Sequence, residues 1–326
     1  MTLPYRVNVE KMMFSRFWKA ALLMLVLPFA AAAQAQEGPS AGVPVHDRGL
    51  VGTWYAPAGT GKAPVILVLG GSEGGEASAQ TMGRRLASEG YGVLALAWFG
   101  TEGLPEQLQE IPLEYFRTAI DWIGDQPRTD ADHVGIFGVS KGGEAVLLIA
   151  SRDPRIHAVV AAVPSSVVWP GINRANYMDI KSGFSEGGVP LPYLPYDTSR
   201  AFTGIHDLYQ RSLANRDAHP DAIIPVERIN GPILLISAQD DALWPSTLMS
   251  EQVMARLDAK GFAPMHRHVA YPDAGHGIVT PEPATSDEGA YSQMGGTPAG
   301  NAAARVDMWR QTVTFFREAL GAPPQH

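Results

Sequence analysis

The chain of 326 residues contains no cysteine. Neither a disulfide nor a lipid-modified N-terminal cysteine can therefore hold or anchor it, and its stability must come from a packed core. Charge is sparse and leans acidic, with 25 Lys and Arg against 33 Asp and Glu and a formal net charge of −8. Nucleic-acid binding depends on basic stripes that neutralise phosphates, and no such run is present, which excludes that class. Long apolar runs are missing too. The stretch Ala20 to Ala33 is broken by Pro28 and is too short to cross a hydrocarbon layer of roughly 30 Å as a helix, so no stable membrane anchor is expected. Histidines and carboxylates nowhere show the spacing of metal ligands, and neither a metal nor another cofactor is expected.

That same apolar stretch follows Lys11, Arg16 and Lys19 and ends in Ala33-Gln34-Ala35. A basic start, a short apolar middle and small residues at a cleavage site predict a signal peptide over residues 1–35, cut after Ala35, and an exported protein, periplasmic or secreted. Met12 or Met13 is an alternative start. Removing Arg6, Lys11, Arg16 and Lys19 with Glu10 would leave the remainder more acidic still.

Beyond the leader, apolar runs at 64–69, 91–99, 133–137, 158–163, 232–237 and 266–271 alternate with amphipathic stretches at 77–89, 112–124, 143–151, 247–260 and 303–319. Near-continuous apolar strands separated by helices predict an α/β fold, one mostly parallel sheet covered on both faces, in a single domain over 36–326. Two segments interrupt the rhythm. Residues 164–230 hold many prolines, glycines and aromatics, among them Trp169, Tyr177, Phe184, Tyr193, Tyr196 and Phe202, and read as an inserted lid or pocket wall. Residues 277–302, rich in Gly, Ala, Pro and Ser, read as a rim loop.

Gly138-Val-Ser140-Lys-Gly142 follows a strand and opens a helix, the context of a nucleophile elbow. The pentapeptide alone is weak evidence, since Gly70-Gly-Ser72-Glu-Gly74 fits it as well and a serine between glycines is most often a turn residue. Segment order separates the two. A triad of this kind runs Ser, then Asp or Glu, then His, each at the end of its own strand. After Ser140 the second strand ends at Asp240-Asp241 and the third leads into Asp273-Ala-Gly-His276-Gly. Two strands beyond Ser72 lies only the elbow itself, with no carboxylate. The expected catalytic residues are therefore Ser140, Asp241 and His276. Asp241 is preferred because it stands four residues before Pro245, while Asp240 would cap the loop. His268 is the rival base. The backbone N–H of Lys141 is expected in the oxyanion hole with that of Gly71 or Ser72. Glu144 reads as a partner on the helix, and Trp244 and Trp169 as pocket walls or core.

The segments 90–98, 113–116, 138–144, 224–228 (Ile-Pro-Val-Glu-Arg), 240–244 (Asp-Asp-Ala-Leu-Trp), 275–276 and 305–311 together resemble the catalytic C-terminal domain of acyl-CoA thioesterases and bile acid-CoA:amino acid N-acyltransferases, from about residue 50 to 320. The resemblance implies an α/β-hydrolase fold and a triad of Ser140, Asp241 and His276. It also implies hydrolysis of an acyl thioester or ester through an acyl-serine, because the N-acyltransferases carry cysteine at the elbow. Animal members have a β-sandwich domain ahead of the hydrolase domain. Fewer than 30 residues separate Ala35 from Pro64, so that domain is expected to be absent. An exported address would lie apart from cytosolic coenzyme A, which leaves thioester and carboxylic ester both open. A dienelactone-hydrolase-like carboxylesterase is the nearest alternative, and an idle protein holding an apolar ligand the more distant one.

Overall fold

Alternate residues of the central strands face opposite sides, and both sides are covered. In β3 (Ala63–Leu69) every residue is buried. Val65, Leu67 and Leu69 pack into one hydrophobic cluster, whereas Ile66 and Val68 pack into a second. β4 (Gly92–Ala97) and β10 (Ile233–Ala238) are likewise buried throughout, as a sheet sandwiched between helices demands. These features come from a computed structural model that describes residues 41–279 and 293–324. The expected leader and the middle of the expected rim loop lie outside the described residues.

The main sheet has eight strands in the order β1-β2-β4-β3-β6-β7-β10-β11. The remaining members are β1 (Val43–Asp47), β2 (Leu50–Tyr55), β6 (Thr129–Val139), β7 (Ile156–Ala162) and β11 (His266–Tyr271). From β4 to β11 neighbouring strands run parallel. At the other edge β1, β2 and β4 pair antiparallel. The sequence pattern gives no hint of that edge hairpin. β1 is exposed at all but Val45 and carries Pro44, and its two-residue turn, Arg48-Gly49, takes positive φ at both positions, as a tight hairpin requires.

One face is covered by α2 (Leu113–Gly124), α3 (Lys141–Ala150) and α5 (Ser246–Ala259), the other by α1 (Ala77–Ser88) and α6 (Pro298–Leu320). Two helices start earlier than their hydrophobic period predicts. α3 begins directly after Ser140. α6 begins at Pro298 rather than 303, with the Thr297 hydroxyl accepting the Gly300 N–H at 3.0 Å. A capping threonine followed by proline is a strong start signal that apolar spacing overlooks.

The insertion between β7 and β10 is more ordered than its composition suggests. β8 (Phe184–Glu186) joins β5 (Ile111–Pro112) and β9 (Val189–Pro190) in a small second sheet, and α4 (Ile205–Leu213) follows. The insertion packs around Val167, Trp169, Leu194, Tyr209 and Leu213, together with Trp244 and Met249 beyond it. Among the described residues no helix is long and apolar enough to cross a membrane.

Candidate active site

Ser140 sits between the end of β6 and the first turn of α3 with φ 56° and ψ −119°, a backbone state that costs energy for any residue with a Cβ. The chain is packed so tightly there that only glycine fits on either side. A Cβ at Gly138 would lie 2.2 Å from the Gly142 carbonyl oxygen, and one at Gly142 would lie 2.3 Å from that of Gly70. The Ser140 N–H donates to the Ala162 carbonyl at 2.9 Å, tying the elbow to β7.

His276 opens a short 3-10 turn after β11. Its Nε2 is 2.9 Å from Ser140 Oγ and its Nδ1 is 2.8 Å from Asp241 Oδ2. A carboxylate only accepts, so Nδ1 carries the proton and Nε2 is left to accept the serine O–H. The other carboxylate oxygen, Oδ1, takes the N–H groups of Leu243 and Trp244 at 3.0 and 3.2 Å. Asp241 therefore caps its own loop and orients the imidazole, while Asp240, expected to do the capping, is exposed. His268 is remote from this arrangement, with Nε2 2.7 Å from the Ser237 hydroxyl. Burial holds its pKa below the ordinary imidazole value.

A second layer that the sequence did not reveal fixes His276. The His276 N–H donates to the Met294 carbonyl at 2.8 Å, and the Gly275 N–H donates to Asn301 Oδ1 at 2.7 Å. Gly295 and Gly296, both at positive φ, bridge to Asp241 and Ala274. The only advance signal was the paired glycines, which mark a turn but not what it touches.

Below the serine, Lys141 and Glu144 form an ion pair of 2.7 Å with side chains 2% and 0% exposed. Burial pushes the lysine pKa down and the glutamate pKa up, and each opposes the other's shift. The second Glu144 oxygen accepts the Trp169 N–H at 3.0 Å, joining the elbow helix to the insertion. The Lys141 N–H lies in the first turn of α3, where no helical carbonyl can reach it. The Gly71 N–H, expected beside it in an oxyanion hole, donates instead to Glu73 Oε1 at 3.0 Å. Ser72 is held through its carbonyl, which accepts from Arg174 Nη2 at 2.9 Å. Both tryptophans are core. Trp169 is fully buried, and Trp244 donates through Nε1 to the Val163 carbonyl while its ring stands edge-on to His276, 5.8 Å between centroids.

Residues 111–322 match the protein family described as BAAT / Acyl-CoA thioester hydrolase C terminal. Mitochondrial acyl-coenzyme A thioesterase 2 of Mus musculus is 32% identical over 286 residues, which is 86% of this chain and 60% of that protein. Acyl-coenzyme A thioesterase 1 of the same species is 31% identical, over 87% of this chain and 66% of that protein. The chain thus spans less than two thirds of the length of these relatives. Among solved structures, a putative dienelactone hydrolase from Klebsiella pneumoniae superposes with a TM-score of 0.55 at 18% identity, over 85% of this chain and 98% of that one. A 2,6-dihydroxy-pseudo-oxynicotine hydrolase does so with 0.52 at 15%, over 88% and 70%. The fold is that of the α/β hydrolases, and on the family match and the mouse relatives the chain belongs to the BAAT / acyl-CoA thioester hydrolase C-terminal family.

Proposed function

We propose that the protein is a serine hydrolase that cleaves an acyl thioester of the acyl-CoA type, or a carboxylic ester, through an acyl-Ser140 intermediate. The carrying observation is the single imidazole bridging Ser140 Oγ and Asp241 Oδ2 at 2.9 and 2.8 Å. Ser140 Oγ attacks the acyl carbonyl as its proton passes to His276 Nε2, and Asp241 holds the tautomer and stabilises the imidazolium. The developing oxyanion is met by the Lys141 N–H. A donor of this kind is worth about 2.7 to 4 kcal/mol in the transition state. Collapse expels the thiolate or alkoxide, which takes the proton from Nε2. Water then attacks the acyl-serine as it gives a proton to Nε2, and collapse breaks the acyl–Oγ bond, returns that proton to Ser140 Oγ and releases the acid. Serine at the elbow favours this last step, because an oxygen ester yields to water. The names of the mouse relatives support the thioester reading. A site so aligned also argues against an idle ligand-binding protein.

The insertion at 164–230 would wall the acyl site, and the basic, apolar and small-residue sequence of residues 1–35 supports export. Purified protein should hydrolyse at least one member of a panel of acyl-CoA, p-nitrophenyl ester and lactone substrates, and a fluorophosphonate should label it. Ser140→Ala should lose both, with its melting temperature nearly unchanged. Labelling that survives in Ser140→Ala would refute the nucleophile. Turnover confined to lactones would favour the dienelactone-hydrolase-like alternative, and secretion with an N-terminus other than Gln36 would move the cleavage site.

A further inference from the structure

The loop after β3 presents Gly70-Gly71-Ser72-Glu73-Gly74 directly beside the elbow. A Cβ at Gly71 would lie 3.3 Å from Ser140 Cβ. The Gly71 N–H therefore stands where a second oxyanion donor belongs, yet it is occupied by Glu73 Oε1 at 3.0 Å. The carboxylate closes over the loop, with its oxygens 2.8 Å from where a Cβ at Gly70 or Gly71 would stand. One N–H cannot serve both this carboxylate and a substrate oxyanion, and the two like charges repel at such range.

The carboxylate has somewhere to go. Glu73 lines a cleft of about 440 Å³ together with Phe99, Glu102, Glu106, Gln107 and Arg174. Arg174 is fixed at its backbone, where the N–H donates to Gln107 Oε1 at 2.8 Å, and at Nη2, which donates to the Ser72 carbonyl. Among the described residues no carboxylate pairs with it. A guanidinium with donors to spare thus sits in the same cleft as the carboxylate that occupies Gly71.

We propose that Glu73 is a two-position carboxylate that governs the Gly71 donor, resting on Gly71 in the empty site and turning to Arg174 as charge develops on the substrate oxygen. The proposal rests on the serine-hydrolase reading above, and Glu73 is a positioning residue that acts through Gly71. Because the donor works only in the transition state, relieving the competition should raise kcat and leave KM in place.

The test uses an alkyl boronic acid, whose adduct with Ser140 carries a tetrahedral negative charge. Glu73→Ala should bind it about tenfold more tightly than wild type and raise kcat by a similar factor, the scale of one charge-assisted hydrogen bond. Glu73→Gln keeps an acceptor without the charge and should fall between. Arg174→Met should weaken boronate binding in the wild-type background and leave it unchanged in Glu73→Ala, a coupling that a purely structural role for Arg174 would not produce. Equal effects of Arg174→Met in both backgrounds, or weaker boronate binding in both Glu73 variants, would overturn the proposal. Fluorophosphonate labelling of the wild type separates the two failures. Without it the hydrolase reading falls, and with it but without coupling only the Glu73 role falls.

Discussion

At the scale of single residues, the choice between two adjacent aspartates tests how much a carboxylate's second oxygen matters. Asp241 uses Oδ2 for His276 and Oδ1 for two backbone N–H groups, so its plane is set before substrate arrives. Asp241→Asn keeps the size and the loop bonds but can present an amide N–H to the imidazole, which would favour the wrong tautomer. Turnover should fall by about 10⁴-fold, and Asp240→Asn should change it less than about twofold. Steady-state kinetics on the two variants decides the matter, and a larger loss at Asp240 would reverse the assignment. Sequence order alone could reach Ser140 and His276, because each lies in a short motif after a countable strand. It could not reach Glu73 or Asn301, since a side chain folding back two residues, or a helix reaching the turn after β11, leaves no periodic trace.

At the scale of elements, α3 is joined to the insertion through Glu144, which accepts the Trp169 N–H with one carboxylate oxygen and holds Lys141 of its own helix in a buried ion pair with the other. Breaking such a pair from one side strands a charge and typically costs about 3 to 5 kcal/mol, whereas removing both charges is often close to neutral. Glu144→Gln should therefore destabilise strongly, as the Lys141 ammonium, 2% exposed, loses its only anionic partner among the described residues. Adding Lys141→Met should restore most of the loss, because glutamine still offers a carbonyl to the Trp169 N–H. Urea unfolding of the single and double variants measures this, and equal stabilities would place the cost elsewhere. The same scale explains which elements the sequence disclosed. The inner parallel strands announced themselves because burial on both faces makes them largely apolar, while the edge strand β11, half-buried along its length, opens on His-Arg-His before its apolar end. The β1–β2 hairpin and the small sheet of β5, β8 and β9 did not. Their strands are short or exposed, and the pairing of β5 with β8 joins segments far apart in the chain.

For the whole molecule, titrating groups predict how stability depends on pH. Burial holds His157 and His268 below the ordinary imidazole pKa near 6.5, His133 adding to the effect at His157. The unfolded chain then binds protons that the folded chain refuses. The stability these two residues contribute is complete above about pH 6.5 and drains away as pH falls toward their folded values. Glu227, held below the usual carboxylate range by its bond to Arg256, adds a further loss in stronger acid. His266, raised by its bond to Asp258, works in the opposite sense, so the difference between proteins is the useful quantity. The melting temperature of His268→Gln should fall less than that of wild type between pH 7 and pH 5, and an equal or steeper fall would remove His268 from the account. One consequence concerns time rather than space. Ser140, Asp241 and His276 are all in place along the chain before the segment that steadies His276, from Met294 to Asn301, has been synthesised. A nascent chain emerging from the ribosome thus carries Ser140, Asp241 and His276 while the imidazole still lacks its brace. Were these groups to act as proposed above, competence would wait on α6, and a half-made protein would be kept from acting on its surroundings.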